Sequence, residues 1–218
     1  MRVKICGVCR PGDAARAVRA GADLVGVILA PGFERTCTEQ EAAAILGSAG
    51  HALRVGVFVD APGDTAAIAE RLRLDVLQLH GAETPEQAAA LKLAGPWRVW
   101  KAARVREAED FLDAVDLYAE VVDGLLLDGW SARAAGGTGA GFDWNEVAPH
   151  RVVLPASCEL IVGGGLTSDN VTRVVDVLRP DVVDVSSGVE SAQGWKSASK
   201  MDAFVAAARA AAGSQRPQ

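Results

Sequence analysis

The sequence predicts an α/β protein folded as a single (β/α)8 TIM barrel. The chain has 218 residues, half of them hydrophobic, which is enough for one sizeable core. Strand-like and helix-like segments alternate along its whole length, and polar residues and glycines gather at the same end of the predicted strands. Eight strand–helix units leave roughly 27 residues for each, a compact version of the eightfold barrel. A doubly wound open sheet is the structural alternative.

The predicted strands are short runs of consecutive apolar residues, rich in Val, Ile and Leu. This pattern is typical of parallel strands that are buried on both faces. The eight runs cover residues 3–6, 24–29, 54–59, 76–79, 99–101, 124–128, 159–162 and 182–185.

The segments between the strands have helical spacing and several recognisable ends. Thr38, Thr84 and Ser168 are candidate N-caps, and Gly21 and Gly95 stand where helices are expected to end. The barrel domain is expected to cover residues 1–212, with a flexible tail at 213–218. The predicted helices cover residues 12–20, 39–46, 65–72, 85–93, 106–115, 145–149, 169–178 and 200–212.

The composition and charge of the chain limit the kinds of molecule that it is expected to bind. The net charge is −6 without a Lys/Arg cluster, which argues against nucleic acid binding. No apolar run approaches the ~18 residues of a membrane span, and the charged first ten residues are unlike a secretory signal. The four cysteines suggest free thiols in a cytoplasmic protein. We expect no metal and no cofactor, and a monomer or a homodimer.

Two glycine-rich loops follow the last two strands, at residues 163–165 and 186–188. Glycines let a backbone approach a ligand closely, and barrels often bind phosphate at these two loops. Tight connections without a ligand are the simpler alternative. The occurrence of two such loops in the expected places favours a phosphate site, and residues 136–139 are a candidate third wall.

Cys6 and Asp128 are the candidate acid–base pair. Cys6 ends the first strand and precedes Gly7, so its thiol can face the barrel mouth, where a positive neighbour would favour the thiolate. Asp128 ends an apolar strand, where desolvation favours the protonated carboxyl of a general acid. A buried structural cysteine and a loop-capping aspartate are the alternatives. Because both residues are expected on the same rim of the barrel, we favour a catalytic role for the pair over these alternatives.

Arg35 and His80 are candidate substrate-binding residues. Arg35 lies in the loop after the second strand, and a guanidinium binds a carboxylate through two parallel hydrogen bonds. A solvated surface arginine is the alternative. His80, after the fourth strand, is either a proton carrier or a residue that supports the site, and we favour support. His51 and His150 are expected at the surface.

These residues belong to motifs that resemble phosphoribosylanthranilate isomerases nearly from end to end. The order of QLHG, GGTG with FDW, and DVSSGVE is highly specific. The matching segments are KICG at 4–7, RVGVFV at 54–59, QLHG at 78–81, LLD at 126–128, GGTG at 136–139 with FDW at 142–144, GGL at 164–166 with NV at 170–171, and DVSSGVE at 184–190.

The resemblance implies a cofactor-independent Amadori rearrangement in tryptophan biosynthesis. Asp128 would protonate the furanose ring oxygen, and Cys6 as thiolate would remove the C2′ proton. Arg35 would hold the anthranilate carboxylate, and His80 would support the site. The resemblance also assigns the phosphate to backbone amides near four residues: Gly164, Gly165, Ser187 and Gly188.

Some positions differ from the family's usual residues. The loop after the second strand reads PGFERTCT where the family has Ser-Pro-Arg or Ser-Lys-Arg, so Glu34 precedes Arg35. Ala140 and Gly141 follow GGTG, where a lysine is common. The family's GxKD becomes GWKS at 194–197, and Asp128 is followed by GW at 129–130.

Other functions remain open on the residues alone. Cys6 and Cys9 form a CxxC between a strand and a helix, as in thiol–disulfide oxidoreductases, but eight units are too many for that fold. A structural zinc site would need Cys37 and Cys158, whose spacing does not suit one. A sugar-phosphate-binding barrel without activity and an isomerase acting on a different N-glycoside are the remaining alternatives.

Overall fold

Eight parallel strands close into a barrel in sequence order, which confirms the predicted fold. The computed structural model describes residues 1–129 and 142–214. β8 pairs with β1 and closes the ring, with Lys4 opposite Asp184. The strands are β1 (Arg2–Ile5), β2 (Leu24–Ile28), β3 (Leu53–Phe58), β4 (Val76–Leu79), β5 (Arg98–Arg104), β6 (Gly124–Asp128), β7 (Glu159–Gly163) and β8 (Val182–Val185).

Helices follow the strands on the outside of the barrel. They are α1 (Pro11–Ala20), α2 (Glu39–Gly47), α3 (Thr65–Leu72), α4 (Pro85–Leu93), α5 (Ala108–Tyr118), α6 (Trp144–Val147), α7 (Val171–Leu178) and α8 (Ala198–Ser214). Within the described residues, no helix is long and apolar enough to cross a membrane.

Three of the predicted helix ends are confirmed and two are wrong. Thr38 and Thr84 each form a capping box with the third residue of their helices, and Gly21 ends α1 with φ 98°. Ser168 is not a cap, because α7 begins later, after Asn170. Gly95 is not a helix end either, since α4 is capped one residue earlier, at Ala94.

Several boundaries differ from the prediction. β5 extends to Arg104 because its last residues pair with the end of β6, up to Asp128. The sixth helix is a single turn, α6, that continues as a 3-10 helix (Ala148–Val153). α8 continues through Ser214 into the predicted tail, and residues 215–218 lie outside the described part. A hairpin of β9 (Glu190–Ala192) and β10 (Trp195–Lys196) follows β8 and was not predicted.

The hydrophobic core has two parts. The larger part lies between the strands and the helices. The smaller part fills the inside of the barrel and consists of seven buried residues: Leu24, Val55, Val76, Trp100, Leu126, Ile161 and Val182. Such a filled interior makes the barrel a packed core rather than a pore.

Polar side chains also lie inside the barrel. Lys4 on β1 donates hydrogen bonds to Gln78 on β4 and to Asp184 on β8. β1 and β4 are not neighbours in the sheet, so the bond from Lys4 to Gln78 crosses the interior. The inside of the barrel therefore changes from apolar to polar toward the end that carries the loops.

Candidate active site

A cavity of about 1010 Å³ opens at the carboxyl ends of the strands. The cavity brings together residues from distant parts of the chain, as expected for the catalytic end of a barrel. Seven of the eight predicted site residues line it: Cys6, Arg35, His80, Asp128, Gly164, Gly165 and Ser187.

Cys6 follows β1 and is 7% exposed. Burial raises the pKa of its thiol, and Asp184 raises it further. Lys4 and Lys196 act in the opposite direction but do not outweigh burial, so the pKa of the thiol lies above its ordinary value. The sequence predicted the cysteine, but the two lysines that favour its thiolate come from β1 itself and from β10.

A chain of hydrogen bonds runs from Lys4 to Asp128. Lys4 Nζ donates to Gln78 Oε1 at 2.8 Å, Gln78 Nε2 lies 3.0 Å from His80 Nδ1, and His80 Nε2 lies 3.0 Å from Asp128 Oδ2. An ammonium has no acceptor, so it fixes the orientation of the Gln78 amide. The amide nitrogen then donates to Nδ1, which leaves Nε2 of neutral His80 to donate to Asp128.

The position of His80 in this chain of hydrogen bonds is compatible with the predicted supporting role, which stays a prediction. Its ring bridges Gln78 and Asp128, and its Nε2–H stabilises the Asp128 carboxylate. Lys4, Gln78 and Asp184 were not predicted as site residues. The available signal was a lysine within an apolar strand, since a buried lysine needs partners.

Arg35 already binds a carboxylate of this chain. Its Nε and Nη2 each donate to Glu190 at 2.8 Å, while exposed Glu34 lies 3.5 Å from Nη1. Lys196 Nζ binds the same Glu190 at 2.9 Å. Burial raises the pKa of Glu190, but the hydrogen bonds from Arg35 and Lys196 outweigh it and lower the pKa to about 2.

The backbone of Gly7 makes room for Arg35. Gly7 has φ 63°, and a Cβ there would lie 2.8 Å from the Arg35 Cδ and equally close to Ser186 Oγ. Arg35 itself has φ 66°, an uncommon conformation for a residue with a side chain. The loop therefore holds the guanidinium at the cavity wall next to Glu190.

The two glycine loops meet beside Asp128. Gly164 and Gly165 have φ of 75° and 68°, and a Cβ on Gly164 would collide with Asp128 Oδ1. Ser187 begins a short 3-10 helix and lines the cavity. Gly188 packs against the Leu166 carbonyl, behind the lining.

The remaining candidates from the sequence are the cysteines, a metal site and the glycine-rich loop at 136–139. Cys6, Cys9, Cys37 and Cys158 are free thiols. Across residues 1–129 and 142–214, no group of three or more His, Cys, Asp or Glu side chains could hold a metal ion. The candidate third wall at 136–139, and Ala140 and Gly141, lie outside the described residues.

Known proteins are similar to this chain over almost its whole length. The family described as N-(5'phosphoribosyl)anthranilate (PRA) isomerase matches residues 3–207. An N-(5'-phosphoribosyl)anthranilate isomerase of Gloeobacter violaceus is 41% identical over 100% of this chain and 97% of that protein.

Two solved structures share the fold over 96% of this chain. A phosphoribosyl anthranilate isomerase in complex with reduced 1-(o-carboxyphenylamino)-1-deoxyribulose 5-phosphate has a TM-score of 0.83 and 33% identity, with 99% of that chain covered. Monomers generated from the dimeric enzyme of Thermotoga maritima have a TM-score of 0.82 and 34% identity, with 98% covered. The chain therefore belongs to the N-(5'-phosphoribosyl)anthranilate isomerase family of tryptophan biosynthesis.

Proposed function

We propose that this chain isomerises N-(5'-phosphoribosyl)anthranilate through a cofactor-free Amadori rearrangement in which Asp128 is the general acid and Cys6 the general base. Asp128 gives its proton to the furanose ring oxygen, and the bond from that oxygen to C1′ breaks. The nitrogen lone pair forms the C=N bond of a Schiff base. His80 then donates to the carboxylate left on Asp128, which stabilises it.

Cys6 acts on the opened substrate. The thiolate removes the C2′ proton, and the electron pair moves through C1′ to the nitrogen, giving an enolamine. C1′ then gains a proton while the C2′ hydroxyl loses one, which gives the ketone 1-(2-carboxyphenylamino)-1-deoxyribulose 5-phosphate. Over the whole reaction Cys6 gains one proton and Asp128 loses one. Proton exchange with solvent then restores the thiolate on Cys6 and the protonated carboxyl on Asp128.

Two further groups hold the substrate. Three N–H bonds of Arg35, on Nη1 and Nη2, are not used by Glu190 and can bind the anthranilate carboxylate. The phosphate is assigned to the loops of Gly164, Gly165 and Ser187, with Gly188 shaping the second loop from behind. The chain's relative with a bound reduced deoxyribulose 5-phosphate compound supports a sugar-phosphate ligand.

The observation that carries the proposal is the convergence of Cys6 and Asp128 on one cavity, where a chain of hydrogen bonds through Gln78 and His80 links Asp128 to Lys4. A barrel that only bound a sugar phosphate would need neither a buried thiol beside lysines nor an aspartate oriented by a histidine. Acid–base groups of this kind typically contribute about 10²–10⁴-fold to a rate.

The test follows the loss of substrate fluorescence when enzyme is added to phosphoribosylanthranilate generated in place. Asp128→Asn and Cys6→Ala should each reduce kcat by about 10²-fold or more. Asp116→Asn, on the exposed side of α5, and Cys9→Ser are the matched controls and should retain activity. Unchanged turnover in both site variants would disprove the assigned roles, and loss in Cys9→Ser would favour a dithiol enzyme.

Location and assembly complete the proposal. Four free thiols and a role in amino-acid biosynthesis support a cytoplasmic protein, where thiols stay reduced. For assembly we propose a monomer or a homodimer, and the dimeric Thermotoga maritima relative supports the second. Light scattering on the purified protein distinguishes the two. The acidic net charge of −6 gives no support to a nucleic acid partner.

A further inference from the structure

Lys4 is a fully buried lysine whose ammonium donates two hydrogen bonds to side chains inside the barrel. Gln78 Oε1 and Asp184 Oδ2 accept them, at 2.8 and 2.9 Å. The same ammonium lies close enough to the Cys6 thiol for the charge of each group to change the pKa of the other. A Cβ placed on Gly26 would lie 3.0 Å from Cys6 Sγ and 3.1 Å from Lys4 Cε, so the sulfur and the lysine stem converge on the same point.

The charged groups around Cys6 carry a net positive charge when Cys6 is an uncharged thiol. Three cations are present: Lys4, Lys196 and Arg35. Two carboxylates pair with them, Asp184 with Lys4, and Glu190 with both Arg35 and Lys196. The cluster therefore keeps one positive charge, which a thiolate on Cys6 would neutralise.

The other charged groups near the cluster leave this balance in place. Asp13 accepts from the Lys196 backbone N–H but forms an ion pair with Arg10. Lys200 is exposed and binds the backbone carbonyl of Glu190.

Glu34 contacts Arg35 from the rim, where it is solvated. Asp128 and His80 interact with each other and reach Lys4 only through Gln78.

We propose that Lys4 is a positioning residue that favours the thiolate of Cys6 against the opposing effect of burial and points the sulfur into the cavity. Its ammonium donates to the sulfur, and its bond to Asp184 fixes the ammonium in place. The proposal rests on the role of Cys6 as the base, but its test measures the ionisation of the thiol and needs no substrate.

The pKa directions agree with this geometry. Burial lowers the pKa of Lys4, but Asp184 and Cys6 raise it by more, so the ammonium stays charged. Burial raises the pKa of the Cys6 thiol above its ordinary value, and Lys4 is the first of the groups that oppose this effect without outweighing it. Asp184 raises the pKa of Cys6, so Lys4 and Asp184 act on the thiol in opposite directions.

The experiment titrates the ultraviolet absorbance of the Cys6 thiolate, taken as the difference between each protein and the same protein with Cys6→Ser. Lys4→Met should move the midpoint of thiolate formation up by about one pH unit or more, because the variant lacks the positive charge that favours the thiolate. A shift of one pH unit corresponds to about 1.4 kcal/mol. Asp184→Asn should move it down. A purely structural role for Lys4 predicts no such opposite shifts.

Lys4→Met leaves the Asp184 carboxylate buried without its lysine partner, and this variant could fail to fold for that reason. The double variant Lys4→Met/Asp184→Asn removes both charges and then provides the same test. Its midpoint should lie above that of Asp184→Asn alone. An unchanged midpoint after loss of Lys4, in either background, overturns the proposal. The acid limb of the kcat/KM profile should move together with the thiol midpoint. Failure of Cys6→Ala to reduce turnover would instead contradict the proposed function and leave the thiol titration standing.

Discussion

Single residues set the charge around Arg35, the proposed site of the substrate carboxylate. Arg35 was identified from its loop position, but its partner Glu190 was not, although both lie within conspicuous motifs. The pair joins the loop after β2 to the segment after β8, and sequence spacing does not show that these meet. The same applies to Lys4, Gln78 and Asp184, whose contacts depend on the closed ring.

Glu34→Gln should strengthen substrate binding. Glu34 is exposed and lies 3.5 Å from Arg35 Nη1, on the edge that faces away from Glu190, so it competes with the substrate carboxylate. Removal of its charge should lower KM by about twofold to fivefold, with kcat unchanged, as exposed ion pairs of this kind are weak. Steady-state kinetics at low and high salt measure the effect.

The salt dependence provides the control for this variant. The ratio of the wild-type KM to the KM of Glu34→Gln should fall toward one as salt screens the exposed ion pair, since salt weakens the attraction between substrate and Arg35 in both proteins. A KM that rises in Glu34→Gln would show that Glu34 positions Arg35 rather than competing for it.

At the scale of elements, most of the fold was accessible from the sequence. All eight strands were located within a few residues, because consecutive apolar residues bounded by glycines and polar loops identify buried parallel strands. The hairpin of β9 and β10 was missed because it is only a few residues long and lacks a clear alternating pattern. The cap at Asn170 was missed because two polar residues precede it.

Gly124→Ala should destabilise the barrel from within. A Cβ at this position in β6 would lie 2.7 Å from Ile161 Cδ1 and 2.8 Å from Trp100 Cδ1, in the packed interior. Overpacking of this kind costs about 1–3 kcal/mol of unfolding free energy. Urea unfolding followed by circular dichroism measures the change.

Gly47→Ala is the matched control for this substitution. Gly47 ends α2, is exposed, and has no atom within 4 Å of an added Cβ. The change should stabilise the protein by about 0.5–1 kcal/mol, because alanine favours the helix. Equal effects of the two substitutions would mean that the interior at Gly124 is less tightly packed than described.

At the scale of the whole molecule, the pH dependence of stability should contain a contribution from Glu190. Its folded pKa of about 2 lies below the ordinary 4.5, so its stabilising effect is present above the ordinary value and is lost as pH falls toward 2. Between roughly pH 5 and pH 3, this corresponds to about 2 kcal/mol.

Glu190→Gln should reduce the loss of unfolding free energy over that pH interval by about this amount. Urea unfolding at both pH values measures it, with Glu120→Gln, an exposed carboxylate on the outer surface, as the control. An unchanged pH dependence in Glu190→Gln would show that Arg35 and Lys196 do not stabilise its charge in the folded protein.

The pairing of β1 with β8 also has a consequence for protein synthesis. Lys4 is synthesised 180 residues before Asp184, its partner on β8. Until Asp184 is made, the ammonium has no carboxylate beside it, so the interior of an incomplete sheet stays hydrated around it. We therefore expect a nascent chain that contains Cys6 and Asp128 but lacks β8 to be inactive until β8 closes the ring.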